Sequence, residues 1–178
     1  QTKQARGDIP RHGTIYYLRQ PLNYLFNWTT MKTIATTVYI LFLIMLTGSA
    51  IGAAAKAGYL IPAAVPFALV LILILRFMNP KLERIAWAAF TVWLGSTYVQ
   101  LGNPIEYGLF FAYIALALLG VFKSPYFLVA AWLFHPVWDF IPRELPELYI
   151  DLPMACILFD IPIGLYLLWG SRIRRWIV

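Results

Sequence analysis

The chain has 178 residues, of which 61% are hydrophobic and only 12% charged, and its mean hydropathy is +0.71. A soluble domain carries about 25% charged residues, so this composition excludes a soluble globular protein and points to an integral membrane protein built as one compact unit. The net charge of +6 does not indicate nucleic acid as a partner, because Lys and Arg sit at the ends of apolar runs and form no basic stripe.

The first twenty residues, QTKQARGDIPRHGTIYYLRQ, are polar and basic and do not read as a signal peptide. The first residue is Gln rather than Met, which is the expectation for a trimmed or processed chain. His12 lies in this polar stretch and reads as solvated or partner-facing. The following segment carries Tyr16, Tyr17, Leu18, Leu22, Tyr24, Leu25, Phe26 and Trp28 but is interrupted by Pro21. It is too short to span a bilayer. Residues 1–32 are therefore read as a basic, aromatic arm lying on the inner membrane surface or packing on a neighbouring protein.

A spanning helix needs about 20 mostly apolar residues. Six such runs are predicted, at about 33–53, 60–78, 85–101, 104–122, 126–141 and 153–170, within a bundle over residues 33–170. The runs are too long for strands and lack the alternation of a barrel. The breaks NPKLER, GNPIE, KSP and PRELPELYIDLP each contain Pro, and most carry charge. Only KSP separates the fourth run from the fifth, so a five-span arrangement with one of them re-entrant is the alternative. In the first run Gly48 and Gly52 have the four-residue spacing of a close helix contact, either inside the bundle or between two copies.

Lys and Arg set orientation. With the N-terminus inside, the inner side receives Lys3, Arg6, Arg11, Arg19, Lys32, Arg76, Lys81, Arg84, Lys123, Arg172, Arg174 and Arg175, leaving only Lys56 and Arg143 outside. This predicts both termini inside, with residues 171–178 a basic cytoplasmic tail that can touch anionic lipid. Plasma membrane or bacterial inner membrane is the expected location.

The chemistry concentrates in the last two runs. His135 lies six residues before the outer end of the fifth, roughly 9 Å deep, and Asp160 seven residues into the sixth, roughly 10 Å deep. The two depths match, and the two runs are antiparallel neighbours. Asp139 shares a helix face with His135, and Cys156 shares one with Asp160. The expected juxtaposition is thus His135 with Asp160 and Asp139 with Cys156. An Asp at a helix centre opposes insertion by about 2.5–3.5 kcal/mol, so such a residue is paired or faces a wet cavity. Pro136 and Pro162 each deprive a carbonyl of its helical donor, which again favours a polar pocket. The third run adds Ser96 and Gln100, four apart, while the inner halves look nearly featureless by comparison.

Four uses of this cluster are open. It can be a structural clamp between helices, a proton or small-solute site, a metal site such as zinc held by His135, Asp139, Asp160 and Cys156, or an acid–base pair of a membrane-embedded enzyme. The metal reading lacks the paired His or paired Cys of a strong motif. No Walker loop, HExxH, GxSxG or haem-type Cys pair is present, so an enzyme is the less favoured class. The expected function is a small polytopic protein whose outer-half pocket, lined by His135, Asp139, Asp160, Gln100 and Ser96, binds or transports a small solute, proton or metal ion. The alternative is an accessory subunit of a larger membrane complex. The bilayer is one partner; further membrane subunits or a second copy are the others.

Overall fold

In the second apolar run Leu60, Ala64, Ala68, Leu71 and Leu75 recur every three or four residues, which is one stripe of a helix. A computed structural model of the chain describes residues 28–99, 104–173 and 175–176. They fall into two units, residues 1–37 and residues 38–178. The first contributes only the opening of α1 to the described residues. The second contains the helical bundle.

The helices are α1 (Trp28–Lys56), α2 (Leu60–Arg76), α3 (Pro80–Val99), α4 (Pro104–Phe122), α5 (Tyr126–Asp139) and α6 (Leu152–Arg172), with a 3-10 turn at Glu147–Tyr149 before the last. No strand occurs among the described residues. Three stretches, Thr30–Lys56, Pro104–Phe122 and Glu147–Arg172, are long and apolar enough to cross a membrane by length and composition; α2 is apolar but shorter. The arm predicted for residues 1–32 lies almost wholly outside the described residues.

Proline and asparagine set several of the boundaries. Asn79 accepts a hydrogen bond from the Leu82 backbone N–H at 3.0 Å, and Pro80 follows it as the first helical residue of α3, where its missing N–H is harmless. Pro104 opens α4, and Pro125 immediately precedes α5. α1 closes on Gly58, whose φ of +71° lets Tyr59 N–H turn back to the Ala54 carbonyl at 2.9 Å. α3 begins five residues before its predicted start, because the charged stretch PKLER is the helix's first turn rather than a loop.

The stripe of α2 packs on α6, α6 packs on α5, and α4 lies against both α3 and α5. The closest approach of α5 and α6 is made possible by Gly164. A Cβ there would collide with the side chain of Leu133. Gly48 lies against the Trp93 ring, whereas a Cβ on Gly52 would meet nothing within 4 Å. The two glycines therefore do not form one contact face within the bundle. Gly164→Ala should destabilise the protein by about 1–3 kcal/mol through overpacking. Gly52→Ala should be neutral or stabilise it by up to about 1 kcal/mol, since Ala is the better helix former. Thermal unfolding of the two variants in detergent separates these outcomes; equal effects would contradict the packing.

Candidate functional site

Histidine and aspartate four residues apart on α5 project from one helix face, and α6 brings a second aspartate to meet them. His135 Nδ1 lies 2.6 Å from Asp160 Oδ2 and 3.6 Å from Asp139 Oδ2. His135 and Asp160 are fully buried and Asp139 is 5% exposed. One ligating atom from each of the three lies within 4.8 Å of the others. Matched depth thus led to the observed His135–Asp160 pairing. Pro136 lies inside α5 and Pro162 inside α6, and both helices continue through them.

The next layer comes from α3, α4 and the α5–α6 connection. The Tyr98 hydroxyl donates to Asp139 Oδ1 and lies 4.0 Å from Cys156 Sγ. Arg143 places its guanidinium 3.9 Å from the centre of the Tyr98 ring and donates to the Trp138 carbonyl at 2.6 Å. Its Nε lies 3.4 Å from Glu106 Oε1, and the Trp138 indole N–H donates to Glu106 Oε2. The rings of Tyr98, Tyr113 and Trp138 surround His135 with centroids 5.4–5.9 Å away. Tyr113 donates its hydroxyl hydrogen to the Ala131 carbonyl at 2.9 Å.

Three buried atoms of the trio have no hydrogen-bond partner among the described residues: His135 Nε2, Asp139 Oδ2 and Asp160 Oδ1. A second buried acid shows the contrast. Glu83, at the far end of the bundle and fully buried, accepts from the Tyr166 hydroxyl, from Arg175 Nε at 2.7 Å and from Trp176 Nε1 at 3.2 Å. Both its oxygens are used. Arg175 also donates to the Arg76 carbonyl at 2.9 Å, and Arg84 to the Trp176 carbonyl at 3.1 Å. This end, expected to be nearly featureless, therefore holds a polar clamp that uses both Glu83 oxygens, and Arg175 of the basic tail is part of it.

The other expected residues are placed differently. Cys156 does not join the converging ligand atoms; Tyr98 stands between it and Asp139, so the four-ligand set reduces to three. Ser96 is half-buried and donates at 2.6 Å to the Trp93 carbonyl of its own helix. It is two residues from Tyr98, and residues two apart on a helix point about 200° apart, so only one can face α5. Gln100 lies outside the described residues. Glu106 and Arg143 were the missed members of the site; the sequence reading places Tyr98 as a polar group at the same level of the third run but assigns Ser96 and Gln100 to the pocket. A signal existed for Glu106: Pro104 marks a helix start, and an acid in the first turn belongs to the helix rather than to the loop.

Two spaces adjoin the site. Asp139 and Arg143 line a recess of about 400 Å³ with Phe140, Pro142, Ile150 and Pro153. Across Tyr98 and Cys156 lies an apolar cavity of about 390 Å³ between α1, α2, α3 and α6, walled by Gly52, Phe67, Trp93 and Phe159.

Residues 59–173 match the sequence profile of a family of unknown function, DUF6010. The chain belongs to this family. The matched region runs from α2 to the end of α6 and contains every residue of the trio and its surrounding layer. Neither the curated proteins nor the solved structures compared with the chain gave a match.

Proposed function

We propose that this chain is a multi-pass membrane protein with six spans and both termini on the cytoplasmic side. Its outer-half site, His135, Asp139 and Asp160, binds a cation or small polar solute and passes it between the outer recess and the bundle interior. The single observation that carries the reading is the set of unpartnered buried atoms on these three side chains. An unsatisfied buried polar atom costs about 1–3 kcal/mol, and more when charged; Glu106 Oε1 and Arg143 Nη1 also lack a hydrogen-bond partner, and what marks the trio is that its side chains carry three such atoms and converge their ligating atoms within 4.8 Å. The recess supports access from the outer end, because it reaches Asp139. The positive-inside distribution supports the orientation. The pairing of the two ends supports the alternation of the spans: Arg175 meets the end of α2, and Arg143 meets the start of α4.

An accessory-subunit role would draw on α1, where Val38, Leu41, Phe42, Met45 and Leu46 are exposed. Lipid covers such a face equally well.

Two measurements test the proposal. In a Cys156→Ala background and in intact cells, Ile150→Cys should react with a membrane-impermeant maleimide and Lys123→Cys should not. Labelling at Lys123→Cys alone reverses the topology. In proteoliposomes, the wild type should carry at least one of H⁺, Na⁺, Zn²⁺ or Mn²⁺, and Asp160→Asn should lose that flux with its thermal stability nearly unchanged. Equal behaviour of the two proteins toward every probe would refute a site role for Asp160.

A further inference from the structure

We infer that the trio is a binding site for one divalent first-row metal ion, zinc or manganese, with His135 Nδ1, an Asp139 oxygen and an Asp160 oxygen as protein ligands. This deepens the reading of the site as a cation site and rests on it.

The first argument is charge. As metal ligands Asp139 and Asp160 would be ionised and the imidazole neutral, so the trio would present two negative charges to the ion. The nearby Arg143 is already paired with Glu106. Buried charge is tolerated when it is paired or coordinates a metal. A monovalent cation leaves one charge over; a divalent ion balances both.

The second argument is geometry. Around an ion bound at about 2.1 Å, tetrahedral neighbours lie about 3.4 Å apart. His135 Nδ1 and Asp139 Oδ2 already stand 3.6 Å apart, and the whole set falls within 4.8 Å. The 2.6 Å contact between His135 and Asp160 is a hydrogen bond, so binding requires the imidazole to carry its one proton on Nε2, leaving the Nδ1 lone pair for the metal. Asp160 Oδ1 and Asp139 Oδ2, both unpartnered, are the oxygens free to turn toward the ion.

The third argument is the ligand chemistry. One imidazole and two carboxylates suit zinc, manganese or ferrous iron better than a soft ion, and the one thiol nearby is screened by Tyr98. Three protein ligands leave a coordination position open, as a site that exchanges its ion or binds a further group requires. Tyr98 acts through Asp139. By donating to Oδ1 it leaves Oδ2 directed at His135. It is a positioning residue.

The test uses the full-length protein purified in detergent and stripped with EDTA. Titration with Zn²⁺ and separately with Mn²⁺ should show about one ion per chain for at least one metal, with Mg²⁺ as a weak control. Asp160→Asn should weaken binding at least 100-fold while keeping the EDTA-state melting temperature. Tyr98→Phe should weaken it about 10–100-fold, again with little change in that melting temperature. The X-ray absorption spectrum of the zinc form should show nitrogen and oxygen neighbours without sulfur. Absence of Zn²⁺ and Mn²⁺ binding overturns the inference, as does binding that Asp160→Asn leaves intact, or a sulfur neighbour. If neither metal binds yet Asp160→Asn still abolishes H⁺ or Na⁺ flux in proteoliposomes, the metal falls and the cation site stands.

Discussion

His135→Ala should destabilise the protein more than Asp160→Ala, and adding Asp160→Ala to His135→Ala should restore part of the loss. The imidazole stands between two buried carboxylates, 2.6 Å from one and 3.6 Å from the other. Removing it leaves like charges facing each other in the bundle, and stripping one partner from a buried pair costs about 3–5 kcal/mol. Removing Asp160 alone still leaves His135 beside Asp139, so the loss should be nearer 1–3 kcal/mol. In the double variant Asp139 retains its bond from Tyr98 and faces no second acid. The coupling between the two sites should be about 1–3 kcal/mol. Unfolding should be followed in EDTA, so that no metal contributes. Additive losses, or a double variant less stable than His135→Ala, would show that the two side chains act independently.

At the opposite end, Glu83→Ala should lower stability by about 3–5 kcal/mol, because it strands the Arg175 guanidinium and two other donors inside the bundle. Glu83→Gln keeps the shape and two acceptor lone pairs, and should cost roughly half as much. Arg175→Ala added to Glu83→Ala should recover part of the loss. The Trp176 ring belongs to the same unit: it seats on Gly170, where a Cβ would collide with it. Neither Glu83 variant should change metal binding or flux, which separates this clamp from the His135 site. A Glu83→Ala protein as stable as the wild type in thermal or denaturant unfolding would contradict the clamp.

The six helices were legible because each apolar run is bounded by a breaker the backbone obeys. Pro104 and the Ser124–Pro125 pair mark helix starts that fall where the composition indicated. Boundaries failed where charge was taken for loop, as at Pro80, and where Thr and Lys at the opening of α1 continue the helix from Trp28. The His135–Asp160 contact was legible for a geometric reason: two consecutive antiparallel helices joined by a short connection have a register that residue counting can estimate. No such counting relates α3 or α4 to α5. That is why Tyr98 was passed over for Ser96, and why the Glu106–Arg143 pair was assigned to loops. Glu83 was missed because acids and bases at helix ends were read only as orientation signals.

The Glu83 clamp joins residues that are made far apart in time. Glu83 lies 83 residues before Tyr166 and 92 before Arg175. At about 5–20 residues per second, a ribosome takes roughly 5–20 s to supply the partner guanidinium after α3 has emerged. Until Tyr166 in α6 is made the carboxyl group of α3 has none of its three donors. The polar clamp on α3 therefore closes only once α6 and the residues after it have been made.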